Sequence, residues 1–107
     1  MSFRVPLLLA AAMLMGATAV QPSTAQDQAK IAAGARTFSE YCSTCHGDDL
    51  ISSGLTFDLR RLKAGDRPRF ENSVLNGKNQ MPPWRGVLNE DQLDKLWNYI
   101  RANAFEK

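Results

Sequence analysis

Two thiols and an imidazole stand together in Cys42-Ser43-Thr44-Cys45-His46, and the chain holds no other cysteine or histidine. C-x-x-C-H is the attachment signature of c-type haem. The chemistry accounts for the spacing. Each thiol adds across one haem vinyl group and becomes a thioether. One helical turn between the sulfurs matches the gap between the two vinyls. His46 then points under the ring, where an imidazole can ligate the iron. Other chemistries use the same residue types. A thioredoxin-like redox pair wants a βαβ context, and no such pattern is present. A zinc site needs about four ligands, so a carboxylate would have to complete it. A disulfide across two residues would close a small, strained loop. Haem attachment is the reading with which three other features of the chain agree.

The first is a leader. Met1-Ser2-Phe3-Arg4 is a short positive segment, and Pro6 to Val20 is apolar but too short to span a bilayer comfortably. Ser23-Thr24-Ala25 is a small-x-small cleavage site, which predicts a signal peptide over residues 1–25 and a single domain over residues 26–107. Ala17-Thr18-Ala19 is a second candidate site, and an uncleaved anchor helix is the alternative. No later stretch is long and apolar enough to span a membrane, so no span is expected in the mature chain. Residues 26–107 are near the lower limit for a self-sufficient core, and a large apolar prosthetic group would supply buried surface. The chain has 13 Lys and Arg against 11 Asp and Glu, and Arg4 belongs to the leader. So balanced a charge suggests neither a nucleic-acid partner nor an anionic membrane.

The second feature is Lys78-Asn79-Gln80-Met81-Pro82-Pro83-Trp84, which two prolines keep from becoming helix. Met1, Met13 and Met15 leave with the leader, so Met81 is the one methionine of the mature chain. A lone Met usually fills a core gap. On so stiff a loop it can instead place one thioether, as the iron ligand opposite His46. Such a ligand raises the reduction potential and occupies the position where oxygen or peroxide would bind. Trp84 is expected beside the ring, or as an ordinary core residue. Arg60, Arg61, Lys63, Arg67 and Arg69 form a cationic run that reads as a solvated face. Within it Arg60 is the candidate partner for a haem propionate, because guanidinium pairs bidentately with carboxylate.

Helices must position these groups. Ile31, Ala35, Phe38 and Cys42 recur at helical spacing over Asp27 to Tyr41, with Gly34 on the adjoining face. A mid-helix Gly costs about 1 kcal/mol against Ala, so Gly34 suggests close approach by another helix. Gly47 to Asp58 reads as loop. Asp66 is a candidate cap for a helix that admits Pro68 in its first turn, carries Phe70, Val74 and Leu75, and ends at Asn76-Gly77. The third feature is the last helix. Asn89 and Gln92 form a capping box, Glu90 and Asp91 suit its positive end, and Leu93, Leu96, Trp97 and Ile100 make the stripe.

With these residues in view, the chain resembles the small class I cytochromes c throughout residues 26–107. Gly34, Phe38 and Cys42 match that family's first-helix pattern, Leu96 and Tyr99 its last helix, and Met81-Pro82 its ligand loop. Phe57-Asp58-Leu59-Arg60 and Gly77 to Trp84 look like the single-haem cytochromes that serve periplasmic PQQ-dependent alcohol dehydrogenases. The resemblance implies an all-α fold with crossed N- and C-terminal helices around one covalently bound haem c. It implies a periplasmic monomer that is an electron carrier and not an enzyme. The donor would be a dehydrogenase, the acceptor a downstream cytochrome or oxidase. A subunit of a larger oxidoreductase, or a haem sensor or peroxidase with a displaceable Met, is the alternative. One departure stands out. Many members carry Gly-Pro after the haem motif, and that carbonyl holds the histidine ring. Here no Pro lies between His46 and Pro68, so a carbonyl near Gly54 or Leu55 is the expected substitute.

Overall fold

Helix α1 covers Ala25–Tyr41 and starts from a reciprocal cap, in which Thr24 and Asp27 satisfy each other's backbone N–H groups. In this computed structural model the described residues are 2–3 and 24–107. Apart from Ser2, Phe3, Thr24 and Ala25, the leader expected over residues 1–25 lies outside them. After α1 the chain turns through Cys42 into the short α2, Ser43–His46. Helix α3 is Arg67–Asn76 and α4 is Glu90–Ala102. Short 3-10 turns at Asp48–Leu50, Leu59–Arg61 and Ala64–Asp66 fill the connection between α2 and α3. Among the described residues, β pairing is limited to two isolated bridges, Lys78 with Met81 and Arg85 with Leu88. The all-α expectation is met.

The expected stripe of α4 is what it buries: Leu93, Leu96, Trp97, Tyr99 and Ile100. Asn89 accepts from the Gln92 N–H at 2.8 Å, and the Gln92 side chain accepts from the Asn89 N–H at 2.9 Å, as the sequence implies. Helices α1 and α4 make the dominant helix–helix contact. At its centre Phe38 meets Tyr99 with ring centroids 5.6 Å apart. Gly34 allows this approach, since a Cβ there would lie 2.0 Å from the Lys95 carbonyl oxygen. Helix α3 joins through Phe70, whose ring centroid is 5.2 Å from that of Trp97. Arg67 adds ion pairs to Glu71 at 2.9 Å and Asp94 at 3.0 Å. Among the described residues, no helix is long and apolar enough to cross a membrane.

One cap differs from expectation. Asp66 makes no side-chain bond into α3 and accepts instead from the Lys63 N–H behind it, at 2.8 Å. The preceding 3-10 turn runs directly into α3, so Asp66 already has near-helical dihedrals and its carboxylate caps the earlier turn.

Candidate haem site

Cys42 closes α1, its N–H donating to the Phe38 carbonyl at 2.8 Å. The N–H groups of Cys45 and His46 then both turn back to the Cys42 carbonyl, at 3.3 and 3.0 Å. This one turn sets Cys42, Cys45 and His46 around a single backbone bend. Both thiols are free; Cys45 is exposed and Cys42 half-buried. Burial, and secondarily the neighbouring Cys45, push the Cys42 thiol up to about 11. The two sulfurs are not joined as a disulfide. Among the described residues, no group of three or more His, Cys, Asp and Glu side chains could hold a metal ion. That leaves the zinc alternative without its ligands.

His46 is half-buried. Desolvation lowers its pKa below the usual imidazole value, partly offset by a hydrogen bond with the Phe57 backbone. Its Nδ1 lies 3.2 Å from the Thr56 hydroxyl oxygen. The opposite ring nitrogen, Nε2, is the atom then available to a metal.

The Met81 loop is held from both sides. Lys78 and Met81 exchange backbone hydrogen bonds at 3.1 and 2.9 Å, which closes a tight turn with Asn79 in the left-handed region. The N–H groups of Trp84 and Arg85 donate to the carbonyls of Val74 and Leu75 on α3, at 2.8 and 3.2 Å. Gly77 lies beneath the loop at φ 76°, and a Cβ on it would meet the Met81 carbonyl oxygen at 2.6 Å. Trp84 stands edge-on to Tyr41, with centroids 5.4 Å apart. Since Tyr41 immediately precedes Cys42, this contact ties the methionine loop to the thiol turn. Met81, Trp84, Tyr41 and Cys42 all pack on the one core.

Arg60, the residue expected to meet a propionate, is paired with Asp58. Its Nε and Nη2 donate to the two carboxylate oxygens of Asp58, at 3.0 and 2.9 Å, and its guanidinium lies 4.6 Å from the Phe105 ring centre. Sequence reasoning also passed over Tyr41 and Thr56. Tyr41 is marked by its place just before the first thiol; only the missing proline after His46 hinted that a group such as Thr56 was needed.

The sequence profile described as cytochrome c oxidase, cbb3-type, subunit III matches residues 29–100. Cytochrome c6 of Euglena gracilis is 35% identical over 78 residues, which are 66% of this chain and 90% of that protein. The chain belongs to the cytochrome c family. Cytochromes of this family are electron carriers with covalently attached haem c, and the arrangement of helices here is their class I fold. Quinohemoprotein alcohol dehydrogenase ADH-IIG of Pseudomonas putida is 31% identical over 87 residues, 79% of this cytochrome. Its solved structure superposes with a TM-score of 0.68 at 32% identity. This cytochrome spans only 12% of that dehydrogenase's length. The residues present fit haem c. Two free thiols share one helical turn, one histidine has Nδ1 occupied by a hydroxyl, and one thioether stands on a braced loop joined to that turn.

Proposed function

We propose that this cytochrome shuttles single electrons in the periplasm, from a PQQ-dependent alcohol dehydrogenase to a respiratory cytochrome or oxidase. Cys42 and Cys45 hold the haem as thioethers. His46 and Met81 would hold the iron, and Trp84 would pack against the haem. The haem supplies a reversible one-electron couple; the polypeptide binds it, orients its ligands and excludes water. With His46 and Met81 both committed to the iron, the chain would act as a carrier. Residues 1–25 are removed on export. That cut would also remove Thr24, the cap of α1, and leave an exposed first turn that contributes little to the core.

The observation that carries this reading is the Tyr41–Trp84 contact, which brings the methionine loop against the thiol turn. The dehydrogenase as donor is supported by the likeness to ADH-IIG and ADH IIB of Pseudomonas putida. The limited coverage of those chains equally favours a second reading, a cytochrome that works as one part of a larger oxidoreductase.

The test is made on exported protein. Haem should remain on the polypeptide in acid-acetone, and the ferric form should show the weak band at the red end of the visible that marks methionine sulfur on iron. Met81→Ala should abolish that band, lower the potential and admit carbon monoxide to the ferrous iron. Free extraction of haem, or ready carbon monoxide binding by the unmodified protein, defeats the proposal.

A further inference from the structure

The ring of His46 is held by a group that comes from ten residues further along the chain. Thr56 Oγ1 lies 3.1 Å from the Cys45 carbonyl oxygen and 3.2 Å from His46 Nδ1. A hydroxyl has one proton to donate, and a carbonyl oxygen can only accept. The Thr56 proton therefore goes to Cys45. What remains on Oγ1 toward His46 is a lone pair, and Nδ1 must carry the hydrogen that meets it. The neutral ring then has its lone pair at Nε2.

The loop that delivers Thr56 is built for the return. Gly47 turns at φ 85°, and a Cβ there would stand 1.9 Å from the Ile51 carbonyl oxygen. The Ser52 hydroxyl accepts from the Gly54 N–H at 3.2 Å and donates to the Thr56 carbonyl at 3.3 Å. One serine thus folds the loop tip and fixes the backbone of Thr56.

We propose that the Thr56 hydroxyl is the positioning residue of His46: it sets the Nδ1–H tautomer, fixes the plane of the ring, and increases electron donation from Nε2 to a bound iron. It stands beside the Phe57 backbone, which reaches the ring where a carbonyl near Gly54 or Leu55 was expected. Partners of this kind commonly alter a metal ligand's behaviour by about 10–100-fold when removed. The inference rests on His46 being the ligand under "Proposed function". The Phe57 backbone also reaches the ring, and the experiment separates the two.

Holoprotein of the wild type, Thr56→Val and Thr56→Ser is compared by redox titration and by 1H–15N NMR of the histidine in the ferrous state. The wild type should show a slowly exchanging Nδ1–H. Thr56→Val should lose that protection and favour the reduced form by up to about tenfold, ~59 mV for one electron, because ferric iron is deprived of donation. Thr56→Ser should restore both. If Thr56→Val does not mature, Thr56→Ala is read in its place by the same two measurements. An unprotonated Nδ1 in the wild type overturns it. So does a Thr56→Val protein with unchanged potential and unchanged Nδ1–H, which would assign the ring to the Phe57 backbone. Failure of the underlying reading looks different: the wild type would then lack the haem-shifted ring signals of a ligated histidine altogether.

Discussion

A Cβ on Gly34 would stand 2.0 Å from the carbonyl oxygen of Lys95 and 2.8 Å from the Cβ of Tyr99. Nothing in that list can swing aside, because the first obstacle is backbone and the second is the root of a buried side chain. Gly34→Ala must therefore push α1 from α4 at the point where Phe38 and Tyr99 meet. Overpacking of this kind typically costs about 1–3 kcal/mol. We expect Gly34→Ala to lower the unfolding free energy of the holoprotein by that amount, seen as a lower denaturant midpoint at unchanged slope. Gly65→Ala is the control: it has open space around it, and it should change the midpoint little or raise it slightly. Equal effects in the two variants would refute the account of the helix contact.

Gly77 bears on the methionine loop in the same way. Its φ of 76° and the 2.6 Å approach to the Met81 carbonyl both oppose a side chain. Gly77→Ala should weaken or abolish the red-end band of the ferric protein and let carbon monoxide in, while haem stays covalently attached. An unaltered band would mean that Met81 does not depend on this turn.

The Asp58–Arg60 pair sets a pH dependence. Its hydrogen bonds from Arg60 hold the Asp58 carboxyl below the usual value of 3.8. A depressed folded-state value stabilises the fold above the ordinary carboxylate range, and the contribution is lost as pH falls below 3.8. Arg60→Gln should return Asp58 toward its ordinary value and move the acid-unfolding midpoint to higher pH, with the curves converging at the lowest pH. Circular dichroism across an acid titration measures this. If propionates were the true partners of Arg60, the substitution would instead shift the reduction potential near neutral pH.

Docking of the electron donor should depend weakly on salt. The surface beside the thiol turn and the methionine loop offers exposed Thr44, Lys78, Asn79, Gln80 and Pro82 with half-buried Ser43, and only Lys78 among them is ionic. Interfaces of transient redox pairs are small, so a few apolar and hydrogen-bonded contacts suffice. Stopped-flow reduction by the donor should slow only modestly with ionic strength. Screening acts over about 8–10 Å at ordinary salt, and charge-led docking would show as a fall of about tenfold or more. A steep fall, with a large loss on neutralising Arg67 and Arg69 and none at Lys78, would move the docking site to the basic segment.

Features that depend on neighbours along the chain were legible before folding. The thiol turn, the Asn89–Gln92 cap, the stripe of α4 and the proline-stiffened loop rest on interactions within about four residues, where spacing is geometry. Gly34 could be read as well, because a glycine inside a good helix is explained by a close neighbour. Tertiary structure decided the choices among equivalent partners. Asp66 could cap either the turn before it or the helix after it, and backbone dihedrals selected the former. The Asp58 carboxylate has both Arg60 and Arg61 beside it, and the side-chain conformation of Arg60 took both its oxygens. Any carbonyl or hydroxyl returning to His46 could have held its ring. Which ones did so depended on how the loop from Gly47 folded back, and that loop brought both the Thr56 hydroxyl and the Phe57 backbone to the ring.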